Sequence, residues 1–182
     1  YYGEVNDELT QQLISYFTAM GANREDTIKS ISNLVSRITE NTIKDFEKEF
    51  AWVNIRTTLP NNEFYVPRWH IDGKYFTSEE KVYKLVFTIK GPSTRFAEKI
   101  DANKFDELIN NKDSESAATR KELASTIKEI TPPSNEQAAM YLVGDINAKV
   151  HSEPNMDKPR IFMQVLVGSK EQINEWKNDR ED

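Results

Sequence analysis

The period of the apolar residues changes near residue 50, and that change limits the folds open to this chain. Before it the spacing is helical. Leu9, Leu13, Ile14, Phe17 and Met20 follow a 3.6-residue period over about 6–20, with Gly21 as a C-terminal stop. A longer helix is predicted over about 24–50, its apolar stripe formed by Ile28, Ile31, Leu34, Val35, Ile38, Ile43 and Phe46. After residue 50 the period shortens to that of strands. Residues 51–58 (AWVNIRTT) read as a strand, followed by a turn at Pro60-Asn61-Asn62. Residues 64–72 read as a second strand, and 81–90 (KVYKLVFTIK) as a third that ends at Gly91-Pro92. Helices first and short strands afterwards predict an α+β arrangement, a β-sandwich or barrel buttressed by N-terminal helices.

The rest of the chain fits the same plan. A polar stretch, 98–137, is expected to hold two exposed amphipathic helices, 103–109 and 114–130, and to act as an insert or lid; Thr131-Pro132-Pro133-Ser134 closes it. Strands are predicted at 139–143, 146–151 and 160–167 (RIFMQVLV), with a turn at Gly144-Asp145 and a short helix at 170–177. The acidic tail 178–182 is expected to fray. At 182 residues the chain reads as one domain: 1–50 the helical buttress, 51–97 and 138–168 the strands, 98–137 the insert, and 169–182 the last helix and tail.

Composition narrows the chemistry. Nine Phe, three Trp and seven Tyr argue for a folded core although charged residues make up 30%. A net charge of −6, with no run of Lys and Arg, argues against nucleic acid as partner. The absence of cysteine excludes disulfides and thiolate zinc sites. No apolar run approaches the roughly 20 residues of a membrane helix. A soluble, by default cytoplasmic, protein is expected; the first residue is Tyr1 rather than Met, which leaves a removed export segment open.

The chain has two histidines, and one stands in Pro67-Arg68-Trp69-His70-Ile71-Asp72-Gly73. On a strand, residues i and i+2 share a face, so His70 and Asp72 would offer an imidazole and a carboxylate to one metal ion. The second histidine, His151, lies 81 positions further along and can join them only through tertiary folding. Two histidines and one carboxylate leave coordination positions open, the facial arrangement of non-haem Fe(II) oxygenases. Nine positions after His151 comes Arg160, on a strand whose alternation places it on one face with Phe162 and Gln164. A guanidinium pointing into a barrel needs an anion, and its planar fork suits a carboxylate. Alternation on 81–90 likewise groups Lys84, Val86 and Thr88.

These motifs, WHIDG, KLVFTIKGPSTRF and GDINAKVHSEPNMDKPRIFMQV, resemble those of the Fe(II)- and 2-oxoglutarate-dependent dioxygenases, in spacing most nearly the prolyl-hydroxylase-like branch. The resemblance covers roughly 64–97 and 139–168. It implies a double-stranded β-helix, or jelly-roll, core with the N-terminal helices packed on its major sheet. It also implies that His70, Asp72 and His151 bind Fe(II) and that Arg160 holds the distal carboxylate of 2-oxoglutarate. Gln164 and Thr88 or Lys84 would line the cosubstrate pocket. The implied reaction consumes O2 and 2-oxoglutarate, releases succinate and CO2, and hydroxylates a protein residue or small molecule, with ascorbate as reductant in vitro. The long 98–137 stretch departs from a compact member of that branch, and no substrate motif or oligomeric state is legible.

Plainer readings stand beside these. His70-x-Asp72 alone is a common pairing, His151 alone a satisfied strand-end histidine, and Arg160 alone an ion-pair partner. Trp69 and Phe87 read as core, and Glu79-Glu80-Lys81 as a solvated turn. Two alternatives to the oxygenase remain open: a catalytically silent jelly-roll serving as a ligand-binding or scaffolding module, and a metal cupin that does not use 2-oxoglutarate.

Overall fold

Asn6 opens the first helix of the computed structural model, which describes residues 1–73, 80–99, 102–110, 116–134, 137–144 and 148–181. In chain order the elements are β1 (Tyr2–Glu4), α1 (Asp7–Ala19), α2 (Glu25–Asp45), β2 (Phe50–Thr58), β3 (Val82–Lys90) and β4 (Arg95–Lys99). They continue with α3 (Ala102–Ile109), α4 (Ala117–Thr126), β5 (Lys128–Glu129), β6 (Ala138–Val143), β7 (His151–Ser152), β8 (Arg160–Gly168) and α5 (Lys170–Glu181). The fold is mixed α and β with antiparallel pairings. The larger sheet has the order β1-β2-β8-β3-β6 and the smaller the order β5-β4-β7. By its internal contacts the chain divides into two compact units, Tyr1–Asn54 with Phe76–Lys84 and Gln164–Asp182, and Ile55–Tyr75 with Leu85–Met163.

In the first unit the extended Asn6 accepts the Glu8 N–H at 2.9 Å, and Asp7 and Glu8 complement the positive end of α1. The helix stops at Met20, and Gly21 follows at φ +84°, as the expected stop requires. Helix α2 departs from prediction in its end and its buried face. It ends at Asp45, because Glu47 takes φ +51° and Phe50 already begins β2. Its buried residues are Ile28, Ser32, Val35, Ser36, Thr39 and Thr42, whereas Leu34 is 48% exposed. Three of the four hydroxyls on that face have partners: Thr39 donates to the Val35 carbonyl and Thr42 to that of Ile38, and Ser36 meets Thr10 of α1 at 2.7 Å; Ser32 Oγ has none among the described residues. Their small size admits the apolar side of α1, with Leu9, Leu13 and Phe17 buried.

Two further elements of this unit exceed the sequence reading. Strand β1, in a Gly-containing stretch with no strand signal, pairs with β2 in the register Tyr2↔Trp52, Gly3↔Ala51, Glu4↔Phe50. Helix α5 runs on to Glu181 rather than fraying after Lys177. Ser169 and Gln172 form a reciprocal cap at its start, Ser169 N–H to Gln172 Oε1 at 2.9 Å and Gln172 N–H to Ser169 Oγ at 3.3 Å. Its buried Trp176 meets Trp52 with ring centroids 5.7 Å apart.

In the second unit a core forms from Trp69, Ala97, Phe105, Leu108, Leu123 and Val150. Phe105 and Leu108 come from α3 and Leu123 from α4, so both helices are amphipathic as expected but bury their apolar sides around Trp69. The expected helix 114–130 is shorter: α4 is capped by Ser116 and ends at Thr126, and the chain then turns extended to form β5. Residues 114–115 lie outside the described residues. Strand β4, unforeseen within its polar surroundings, pairs with β5 on one side and with β7 on the other (Phe96↔His151).

The strand predicted at 64–72 does not form. Asn61 accepts the Glu63 N–H in a side-chain turn, Tyr65 N–H closes another turn on Asn62, and Pro67 has no N–H to give a ladder. What survives is a single bridge, His70↔His151. Of the strand predicted at 146–151, residues 148–150 are not strand and 146–147, with Asp145 of the expected turn, lie outside the described residues.

Candidate metal centre

The bridge decides the site. His70 N–H donates to the His151 carbonyl at 2.9 Å and His151 N–H returns to the His70 carbonyl at 3.0 Å, so two residues far apart in sequence sit directly opposite. Their rings face one another with centroids 4.4 Å apart. The loop leaving His70 brings Asp72 back beside them, its carbonyl held by Gly144 N–H at 2.8 Å. His70, Asp72 and His151 each offer a ligand atom, and the three atoms lie within 4.8 Å of one another. Asp72 Oδ1 is 3.8 Å from His70 Nε2, and Asp72 Oδ2 is 3.2 Å from His151 Nε2. An ion with ligand bonds of about 2.1 Å holds adjacent donors roughly 3 Å apart, so only the His70 side has to close appreciably.

Both rings are set for coordination through Nε2. His70 Nδ1 meets the Arg68 carbonyl at 2.8 Å, and His151 Nδ1 meets the Lys149 carbonyl at 2.9 Å. A carbonyl only accepts, so each Nδ1 carries a proton, and in the neutral ring Nε2 is the atom that keeps the lone pair. The same device, a carbonyl two residues upstream, fixes both tautomers. Burial, then the neighbouring His151, pushes the His70 pKa down to about 4 against the opposing pull of Glu153, Asp72 and the Arg68 carbonyl. Burial raises the Glu153 carboxyl, but His70 and the Arg68 ion pair outweigh it and hold it below the usual range.

His70 is thus neutral at pH 7 and able to ligate. Its folded pKa lies below the ordinary 6.5, so the folded state binds fewer protons than the unfolded chain between the two values. Its contribution to stability is fully present above pH 6.5 and is lost as the pH falls toward 4. With 24% of its side chain accessible, the loss is expected to be about 2 kcal/mol. Denaturant titrations of the metal-free protein from pH 7 to 4 measure it, and His70→Gln should flatten the profile.

Tyr141 is the site residue that motif reading passed over. Its hydroxyl is 3.3 Å from His151 Nε2 and 3.4 Å from Asp72 Oδ2, two ligand atoms at once. Its ring lies 4.8 Å from that of His151 and 5.5 Å from Phe96. The only sequence signal was alternation on β6, which puts Tyr141 on one face with Ala139 and Val143.

The other expected site residues have defined surroundings. Arg160 is 4% exposed; Nε donates to the Pro92 carbonyl at 2.9 Å, Nη2 to Thr94 Oγ1 at 2.8 Å, and the guanidinium lies 3.8 Å over the Phe162 ring. Among the described residues no carboxylate lies within ion-pairing distance of it, and burial lowers its pKa to about 10. Thr88 is buried on β3. Lys84 and Gln164 are buried in the first unit, the Lys84 ammonium 5.6 Å from the Trp176 ring and the Gln164 amide donating to Asn54 at 3.4 Å.

No protein-family model matches the chain, and no curated protein sequence matches it. Among solved structures it is similar to that of a Pseudomonas putida prolyl-4-hydroxylase, with a TM-score of 0.41 and 11% identity over 93% of this chain and 88% of that one. Among the described residues, no helix is long and apolar enough to cross a membrane.

Proposed function

We propose that the chain is an Fe(II)- and 2-oxoglutarate-dependent oxygenase on a jelly-roll core, with His70, Asp72 and His151 as its iron ligands. The observation that carries this reading is the convergence of two Nε2 lone pairs and one carboxylate, each imidazole already locked in the ligating tautomer. That donor set fits a divalent first-row ion and leaves positions open for a cosubstrate. Bound Fe(II), with 2-oxoglutarate, would supply O2 activation coupled to release of succinate and CO2. The chain's own residues would orient and shield. Arg160, a buried guanidinium with no carboxylate partner among the described residues, suits the distal carboxylate of 2-oxoglutarate. Thr88, buried on β3, is proposed to line the same pocket. Tyr141 stands where its hydroxyl can hold a proton at Asp72 Oδ2 or His151 Nε2 until an ion takes those atoms.

Anaerobic titration of the protein with Fe(II) and then 2-oxoglutarate tests the reading. A visible metal-to-ligand charge-transfer band is expected. Arg160→Lys should raise the 2-oxoglutarate needed for half-maximal absorbance by about 10–100-fold, the loss of one bidentate charge-assisted contact. The Pro92 and Thr94 hydrogen bonds and the Phe162 ring favour a second reading, in which they satisfy Arg160 structurally and the site binds metal without 2-oxoglutarate. Metal binding with no band would select it.

A further inference from the structure

Beside the triad lies an open cleft of about 530 Å³, walled by Phe96, Ile130, Pro133, Met140, Tyr141 and Lys149 among others. We propose that this cleft is the substrate site of the oxygenase read above, and that it takes a small molecule with an apolar body ending in a carboxylate. The proposal rests on that reading only for the word substrate; the ligand chemistry stands on the cleft itself.

Two ties join the cleft to the metal ligands. Tyr141 lines the cleft and places its hydroxyl at His151 Nε2 and Asp72 Oδ2. Lys149 lines the cleft, while its own carbonyl holds His151 Nδ1 at 2.9 Å. A molecule seated there is one side chain away from the coordinating atoms.

Charge and shape then define the ligand. Among the described residues that line the cleft, Lys149 carries the only charge, and its side chain makes no ion pair among the described residues. A cation with no ion-pair partner among the described residues, in a largely apolar cleft whose described lining carries no acid, selects an anion locally against the field of a protein of net charge −6. One ammonium, with no arginine fork or second cation beside it, matches a monoanionic carboxylate better than a phosphate. Met140, 42% exposed on the strand at one end of the larger sheet, and Ile130 and Pro133 opposite offer apolar contact for the ligand's body. The volume falls in the range of small-molecule sites.

Calorimetric titration of the full chain without metal tests this with octanoate, octylamine and succinate as probes. Octanoate is expected to bind at micromolar to low-millimolar affinity, and octylamine and succinate at least about 10-fold more weakly. Lys149→Gln should weaken octanoate about 10-fold and Lys149→Glu further, with circular dichroism showing both variants folded. Octanoate binding that ignores Lys149, octylamine binding as tight as octanoate, or no binding at all would overturn the assignment. So would a carboxylate-ended peptide that binds more tightly than octanoate, since β6 could then be pairing with an added strand. The charge-transfer titration is independent: octanoate binding without a band leaves the cleft and removes the oxygenase, and a band without octanoate binding does the reverse.

Discussion

Gly91→Ala is expected to destabilise the fold by about 3 kcal/mol or more, whereas Gly21→Ala should cost only about 1 kcal/mol. Both glycines have positive φ, +92° and +84°, so both substitutions carry the left-handed penalty. They differ in what a Cβ would meet. At Gly21 nothing lies within 4 Å; at Gly91 it would stand 2.4 Å from the Pro159 carbonyl oxygen and 2.9 Å from Arg160 Cα. Those are backbone atoms at the entry to β8, which no rotamer change can move aside. The displaced segment carries Arg160, whose Nε reaches back to Pro92, the residue after Gly91. On the proposed role of Arg160, weaker 2-oxoglutarate binding should accompany the loss of stability. Urea denaturation of the two variants gives the comparison, and equal costs would mean that the Pro159–Arg160 backbone yields to an added methyl group without penalty.

His151→Ala should have the largest effect on metal binding. The substitution leaves the His70–His151 backbone bridge intact and removes one of three donors, so affinity for Fe(II), or for Mn(II) as an air-stable stand-in, should fall by about 100–1,000-fold. Because His151 Nε2 lies 3.2 Å from Asp72 Oδ2 and 3.3 Å from the Tyr141 hydroxyl, the substitution also removes a partner these two groups share. Calorimetric metal titration of the folded variant measures the change. An unaltered dissociation constant would show that the ion sits elsewhere, and the triad would revert to a hydrogen-bonded histidine pair.

Part of this was legible in the sequence, for identifiable reasons. Helix α1 was, because Asn6 and Gly21 mark its ends and its apolar residues repeat on one side. The buried face of α2 was not, since Ser32, Ser36, Thr39 and Thr42 count as polar until their surroundings are known, and the Ser36 partner, Thr10, is supplied only by the folded helix pair. The pairing of His70 with Asp72 was anticipated through a strand that does not exist; a loop beyond one bridge places them together instead. The i, i+2 spacing was informative although its stated cause was wrong. Arg160 on one face with Phe162 emerged directly from alternation on β8, and their 3.8 Å stacking agrees with it. Its Pro92 and Thr94 partners stand more than sixty residues away, beyond any local pattern. Tyr141 carried no motif, because its role comes from which strand ends beside His151.

The reciprocal backbone bonds of His70 and His151 have a consequence for how the protein depends on its surroundings. They hold the two imidazoles opposite each other through the main chain, so an incoming ion needs only to close the His70 side and spends little on ordering its donors. Its binding energy then favours the folded population directly, by mass action, without building secondary structure. The melting temperature should climb with the logarithm of ion concentration while the far-ultraviolet spectrum stays constant. If iron is the ion held there, as proposed, the lifetime of the protein in a cell would follow the iron supply: scarcity would thin the folded pool before it slowed any individual molecule.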